Sequence, residues 1–152
     1  MRRPNVYRAL SVILTLLLCA IPAHDRAQAE VRIEASPGGD VVPFLEFFST
    51  LRRSGERVVI DGPCLSACTL VLSTIPKSRI CATRRAVLGF HAPAVLDRRG
   101  RRYPAEAKAA TRIVTETYPA PVRAWIARHG GLSHRLLLLR GRDLAAIYPV
   151  CR

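Results

Sequence analysis

A short apolar run bounded by turn residues constrains the fold of this sequence more than any other feature. The run Val58 to Ile60 stands between Arg57 and Asp61, and Gly62-Pro63 follows it directly. Such a run is typical of a strand that is buried on both faces of a parallel sheet. Because parallel strands need crossover connections, the neighbouring segments are expected to supply helices.

The neighbouring segments do alternate between strand and helix patterns. The further strand patterns are Val31 to Ala35, Ile80 to Thr83 and Ala86 to Phe90. The helical patterns are Val41 to Leu51, Ser66 to Ile75 and Ala105 to His129, of which the last is interrupted at Pro119 and Pro121. An apolar tail runs from Leu136 to Val150. This order predicts an α/β fold with a mainly parallel sheet and right-handed crossover helices. We expect one domain over residues 30–152.

The first 29 residues have the pattern of a removable signal peptide. Basic residues precede an apolar run from Ala9 to Ile21, and Ala27-Gln28-Ala29 is a small-x-small cleavage site. The run is short for a membrane-spanning helix, which needs about 20 residues, although an uncleaved anchor is the alternative. Leu18 before Cys19 argues against a lipoprotein site. We therefore expect a periplasmic or secreted protein with residues 1–29 removed.

Four cysteines remain after such cleavage, namely Cys64, Cys68, Cys81 and Cys151. An even number in an exported chain favours two disulfides over a metal site, since Cys64 and Cys68 are matched by no second close pair. Three pairings are open, and Cys81 with Cys151 is favoured because it would pin the tail to the sheet. Any bridge at Cys64 or Cys68 would tie down the turn around Ser66.

The chain is strongly basic, with 24 Lys and Arg against 11 Asp and Glu and a formal net charge of +13. Weak contact with an anionic membrane surface is one reading of this charge, and a solvated arginine-rich surface is the other. Nucleic-acid binding is not expected, because the one dense run, Arg98 to Arg102, has no interleaved aromatic residues. No nucleotide-binding loop or paired metal motif is present, so we expect no cofactor and no metal.

Three short motifs carry the chemistry: Ser36 to Gly39, Cys64 to Cys68 and Gly89 to Pro93. Ser66 and His91 are each predicted at the carboxyl end of a strand, where the side chains of parallel sheets meet. A serine at a helix start can be a cap and a lone histidine can be a packing residue, which are the structural alternatives. Together they predict a Ser-His pair within about 4 Å of each other.

These motifs and their spacing resemble those of the Clp-type serine peptidases of the ClpP/crotonase superfamily, and most closely its small secreted bacterial members. The resemblance implies a ClpP/crotonase-like core truncated at the N-terminus, with ring-forming segments missing and the oligomeric state left open. It also implies that Ser66 is the nucleophile and His91 the base. The oxyanion pocket would come from the N–H groups of Gly38 and Ala67.

The third member of a triad is the weak point of the resemblance. Leu136 stands where the family has an aspartate, and Asp143 is the candidate replacement, with a helix-capping or exposed carboxylate as its alternative. We expect Asp143 to fall short of the imidazole, because it follows Gly141, where the chain turns into its last helix. Two functions therefore stay open. The first is an exported serine hydrolase acting on amide or ester bonds, and the second is a non-catalytic binding or structural module of the bacterial cell envelope.

Overall fold

The computed structural model describes residues 29–151, which form two small sheets with helices packed around them. The strands are β1 (Glu30–Ile33), β2 (Arg57–Ile60), β3 (Pro63–Leu65), β4 (Ile80–Ala82), β5 (Val87–Phe90) and β6 (Leu137–Arg140). The helices are α1 (Val41–Ser54), α2 (Val71–Thr74), α3 (Pro104–Thr117), α4 (Ala120–Arg128) and α5 (Gly141–Ile147), with 3₁₀ turns over Ser66–Leu70 and Lys77–Arg79.

Both sheets are built mainly from parallel strands. The first has the order β1-β2-β4 and is parallel throughout, and the second has the order β3-β5-β6, in which only β6 is antiparallel. The central strand β2 carries the apolar run at Val58 to Ile60, whose residues are no more than 1% exposed. The α/β class and the mainly parallel pairing expected from the sequence are confirmed.

The predicted signal peptide lies outside the described residues, apart from Ala29. Among residues 29–151, no helix has the length and apolar character needed to cross a membrane.

The division into two sheets differs from the single sheet expected from the sequence. The central strand ends before Gly62-Pro63, as the sequence predicts, but Pro63 then begins a further strand, β3, which pairs with β5. Proline has no backbone N–H to donate, but the first residue of a strand can do without one. The Pro63 carbonyl accepts the Ser36 N–H at 2.7 Å. The chain changes sheets at Gly62, where a side chain would collide with the Glu34 carbonyl.

A nearly buried carboxylate anchors this change of sheet. Asp61 is 6% exposed and accepts hydrogen bonds from Arg85, from the Thr83 hydroxyl at 2.7 Å and from Arg32 at 3.0 Å. These donors, Arg85 first, hold the pKa of the Asp61 carboxyl well below its usual range, although burial opposes them. Asp61 therefore ties strands β1 and β2 to the turn that leads into β5.

The helices before and after the first two motifs end close to where the sequence indicates, but the helix expected from Ser66 to Ile75 begins as a 3₁₀ turn, and α2 covers only Val71–Thr74. Helix α1 ends at Ser54, and Gly55 follows it with a φ of 83°, the left-handed conformation that favours glycine after a helix. The long helical pattern after residue 104 breaks at Tyr118, which is extended because a proline follows it. On α1, however, only Phe48 and Leu51 are buried, and Val42 and Phe47 are exposed.

The C-terminal tail lies against β4. The Ala82 N–H donates to the Pro149 carbonyl at 3.0 Å, and the Cys151 N–H donates to the Ala82 carbonyl at 3.1 Å. Cys81 and Cys151 are disulfide-bonded across a sequence separation of 70. This is the pairing favoured from the sequence, and it fastens the tail to the edge of the first sheet.

Candidate functional site

The second sheet brings Ser66 and His91 together. Ser66 follows β3 and His91 follows β5, and these neighbouring parallel strands pair in a register that sets Leu65 beside Gly89. Their carboxyl ends therefore lie side by side. The Ser66 Oγ and the His91 Nε2 are 2.7 Å apart, and both side chains are half-buried. The distance is within the 4 Å expected from the sequence.

The backbone at Ser66 makes a sharp turn from strand to 3₁₀ turn. Its φ of 54° is the only positive φ of a non-glycine residue within 29–151. The Thr69 hydroxyl donates to the Ser66 carbonyl at 2.6 Å, and it also contacts the buried Tyr118 hydroxyl at 2.6 Å. Burial raises the pKa of that Tyr118 phenol. The polar contact between Thr69 and Tyr118 inside the core thus helps to fix the turn that presents Ser66.

The orientation of the imidazole follows from its second nitrogen. The His91 Nδ1 lies 2.8 Å from the Ala92 carbonyl oxygen, and a carbonyl can only accept a hydrogen bond. Nδ1 therefore carries the proton in the neutral ring. The lone pair on Nε2 then faces Ser66, whose hydroxyl donates to it. A neutral His91 is in the tautomer that can take a proton from Ser66.

Two backbone N–H groups lie beside the serine. Gly38 has a φ of 87°, and a Cβ added there would lie 2.6 Å from the Ser66 Cβ and 3.1 Å from the Ala67 nitrogen. Ala67 is the second residue of the 3₁₀ turn, where an N–H has no partner within the turn. The Gly38 N–H makes only a long contact of 3.4 Å with the Ser36 Oγ. Their role as an oxyanion pocket, expected from the sequence, stays a prediction.

The structure does not bring Asp143 to this site as a third member. Asp143 lies in the first turn of α5, and its Oδ2 accepts the indole N–H of the buried Trp125 at 3.3 Å. Leu136 lies at this end of the sheet, because continuing the register of β5 and β6 by one residue sets it opposite His91. Its side chain packs over Gly89, where an added Cβ would lie 3.2 Å from Leu136 Cδ1.

The cysteines on either side of the serine are bonded to each other. Cys64 and Cys68 form a disulfide, and they are 0% and 1% exposed. Their sulfur atoms are therefore not available as metal ligands. Elsewhere in the described part of the chain, no three His, Cys, Asp or Glu side chains lie close enough to hold a metal ion.

Three elements of the site had not been expected from the sequence: the Ala92 carbonyl, the Thr69–Tyr118 contact and a cavity next to His91. The cavity, of about 200 Å³, begins at Ala92 and Pro93 and is also lined by Tyr103 and His134. No particular residue type marks a backbone acceptor or a cavity of this kind, so neither can be recognised in a sequence. The proline after Ala92 was the one visible hint of a fixed turn there.

Comparison with known proteins gives the fold but no family. No family model and no curated protein matches the sequence. Among solved structures, a ClpP1 mutant from Listeria monocytogenes is similar, with a TM-score of 0.53 and 16% identity over 94% of this chain and 81% of that chain. A peptidase from Plasmodium falciparum has a TM-score of 0.47 and 9% identity over 96% of this chain and 87% of that chain. The chain has a ClpP-like fold.

Proposed function

We propose that this protein is an exported ClpP-like serine hydrolase that cleaves amide or ester bonds with Ser66 and His91. The contact that carries the proposal is the 2.7 Å hydrogen bond between the Ser66 hydroxyl and the His91 Nε2. Because the ring proton is on Nδ1, where it is donated to the Ala92 carbonyl, Nε2 is free to accept. The similarity to ClpP1 concerns the fold, so the proposal rests on this contact.

The reaction follows from these positions. The Ser66 oxygen attacks the substrate carbonyl carbon while the hydroxyl proton passes to the His91 Nε2. The electron pair of the C=O double bond moves onto the substrate's carbonyl oxygen, which becomes negatively charged. The N–H groups of Gly38 and Ala67 stabilise that negative charge. Collapse breaks the bond to the amine or alcohol, which leaves with the proton from His91. A water molecule then releases the acyl group by the same two steps.

The hydrogen-bond acceptor at the His91 Nδ1 is a neutral carbonyl and not a carboxylate. An orienting aspartate is worth about four powers of ten in turnover, part of which comes from selecting the tautomer. The Ala92 carbonyl supplies the tautomer but not the negative charge that would stabilise the imidazolium. We therefore expect a slow enzyme.

Labelling with a fluorophosphonate probe tests the proposal. We expect wild-type protein to be labelled, and Ser66→Ala and His91→Ala to lose at least nine-tenths of the labelling rate. Ser78→Ala is the matched control, since Ser78 is exposed in the 3₁₀ turn Lys77–Arg79. Labelling that persists in folded Ser66→Ala would end the hydrolase proposal.

A non-catalytic binding or structural module of the cell envelope is the second candidate. The observation in its favour is the same neutral carbonyl at the His91 Nδ1, since it does not supply the negative charge that stabilises an imidazolium. If the folded wild-type protein is not labelled and yet retains peptides on an affinity column, this second function replaces the first.

Export and cleavage after Ala29 belong to the same proposal. The two cysteine pairs at bonding distance support an oxidising compartment, and the N-terminal sequence pattern supports a leader. N-terminal sequencing of the exported protein is expected to start at Glu30. Alkylation without reduction is expected to label none of the four cysteines in 30–152, and two or more labelled cysteines would contradict it. Contact with anionic membranes stays a prediction.

A further inference from the structure

The Cys64–Cys68 disulfide surrounds Ser66. It joins residues with a sequence separation of 4, and Ser66 is the middle residue of the loop that it closes. The second disulfide, Cys81–Cys151, lies at the tail and encloses neither Ser66 nor its immediate neighbours. The two bridges therefore differ. Cys81–Cys151 links distant parts of the chain, whereas Cys64–Cys68 closes the short turn that presents the Ser66 hydroxyl.

That turn holds Ser66 in a conformation which serine seldom adopts. A φ of 54° places its Cβ close to the backbone, and non-glycine residues keep such a conformation only where the surroundings impose it. The residue before it, Leu65, is in an ordinary extended conformation with φ −111°. Without an external restraint, Ser66 would relax towards a negative φ, and its Oγ would leave the His91 Nε2.

The disulfide supplies such a restraint at both ends of the turn. Cys64 is fixed in β3 by pairing with Leu88, and Cys68 lies in the 3₁₀ turn, so the bond ties the strand end to the helix start. Thr69 adds its hydrogen bond to the Ser66 carbonyl on the same side. Of these restraints, only the disulfide can be removed and restored by a chemical reaction.

We propose that the Cys64–Cys68 bridge is a redox-controlled positioning element, which holds Ser66 against His91 only while it is oxidised. The inference rests on the proposed function, since it assigns the regulation of the same site. A dithiol reductant opens the bridge through a mixed disulfide. The reductant gives two electrons and two protons, the S–S bond breaks, two thiols form on Cys64 and Cys68, and the dithiol becomes a disulfide.

A cavity next to the bridge offers an approach to it. Both cysteines are buried, but Cys68 borders a cavity of about 370 Å³ between β1 and α1, also lined by Ser36 and Phe44. A small dithiol can reach the Cys68 sulfur from this cavity once local motion exposes it. Cys151 in the other bridge is only half-buried, so that bridge is the easier one to reduce. The experiment must therefore separate the two.

Two double variants make this separation, with the full-length chain exported and purified in oxidised form. Cys64→Ala with Cys68→Ala removes the bridge around Ser66, and Cys81→Ala with Cys151→Ala removes the tail bridge as the matched control. The readouts are the rate of fluorophosphonate labelling, the melting temperature, and the ¹⁵N chemical shift of the His91 Nε2, which reports its hydrogen bond to Ser66.

We expect opposite patterns from the two variants. Loss of the Cys64–Cys68 bridge lowers the labelling rate at least tenfold and moves the His91 Nε2 signal, with a small change in melting temperature. Loss of the tail bridge lowers the melting temperature more and leaves labelling of the folded protein within about twofold. In the tail-bridge variant, dithiothreitol lowers labelling tenfold, and reoxidation restores it.

The outcomes also distinguish this proposal from the proposed function. If wild-type protein is never labelled, the hydrolase proposal fails, but the His91 Nε2 signal still tests whether the bridge holds Ser66 in place. The positioning proposal is overturned if that signal and the labelling rate are unchanged in folded Cys64→Ala, Cys68→Ala protein. It is equally overturned if labelling falls only in proportion to the unfolded fraction.

Discussion

Replacing Leu136 with aspartate is expected to make the site faster. Leu136 comes directly before β6, and extending the β5–β6 register by one residue sets it opposite His91. Residues opposite each other across antiparallel strands have Cβ atoms about 4.5–5.5 Å apart. An aspartate carboxylate on one strand can reach an imidazole nitrogen on the other across this gap. It would compete with the Ala92 carbonyl, which now accepts the Nδ1 proton at 2.8 Å.

The size of the gain can be worked out from what the site already has. The tautomer is already set by Ala92, so the new carboxylate adds only its charge. Two unit charges 4 Å apart interact by about 4 kcal/mol at an effective dielectric constant near 20, and solvent at this edge reduces the value to about 2–3 kcal/mol. At about 1.4 kcal/mol per factor of ten, the expected gain is roughly 30- to 150-fold in labelling rate.

The cost in stability is modest. Leu136 is 43% exposed, so only part of the roughly 1.5–3 kcal/mol that a fully buried leucine contributes is lost, or about 1 kcal/mol. Leu136→Asn is the matched control, because it has the same shape without the charge. Second-order labelling rates and melting temperatures of both variants provide the test. Equal rates for folded Asp and Asn variants would refute the reasoning, since charge would then not be what the site lacks.

Three further substitutions test other parts of the structure. Gly38→Ala places a side chain at a φ of 87° and within 2.6 Å of the Ser66 Cβ. We therefore expect the free energy of unfolding to fall by at least about 1–2 kcal/mol and the labelling rate to fall tenfold. Wild-type values for both would contradict this. Because the pKa of Asp61 is lowered on folding, its stabilising contribution is complete above its ordinary value of 3.8 and is lost as the pH falls below it. Melting curves between pH 7 and 2 should therefore fall steeply for wild type and less steeply for Asp61→Asn, and parallel curves would exclude the effect. The Tyr148 hydroxyl is buried with no hydrogen-bond partner in the described region, so Tyr148→Phe should leave the unfolding free energy unchanged or raise it by about 1 kcal/mol. Burial raises the pKa of Tyr148 to about 12, so wild type should lose stability above pH 10 and the variant less of it; chemical denaturation at pH 7 and pH 11 measures both.

The sequence predicts the order of strands and helices and the meeting of Ser66 with His91 because both depend on local patterns. Apolar runs bounded by turn residues mark the strands, and parallel strands bring the residues after them to one edge. The pairing of β3 and β5 then places the two side chains 2.7 Å apart. The meeting of the two carboxyl ends was thus predictable, whereas the strand that carries Ser66, β3, was not.

The division into two sheets could not be predicted in the same way. Strand β3 has 3 residues and begins with Pro63, which reads as the end of a strand in a sequence. The partner of the His91 Nδ1 is a backbone carbonyl, and every residue has one. Asp143 was a reasonable candidate by residue type, but the position of α5 against Trp125 decides where its carboxylate lies.

The left-handed backbone of Ser66 also restricts which residue could take over its role in evolution or design. Threonine is branched at Cβ, and branched residues are nearly excluded from a φ of 54°, so the other alcohol nucleophile does not fit this turn. Cysteine fits the turn sterically, but it would stand between two bonded cysteines, and its thiolate would exchange with their bridge. Position 66 is thus closed to both usual replacements for a nucleophilic serine. A descendant of this protein that changed its nucleophile would first have to give up the bridge or rebuild the turn.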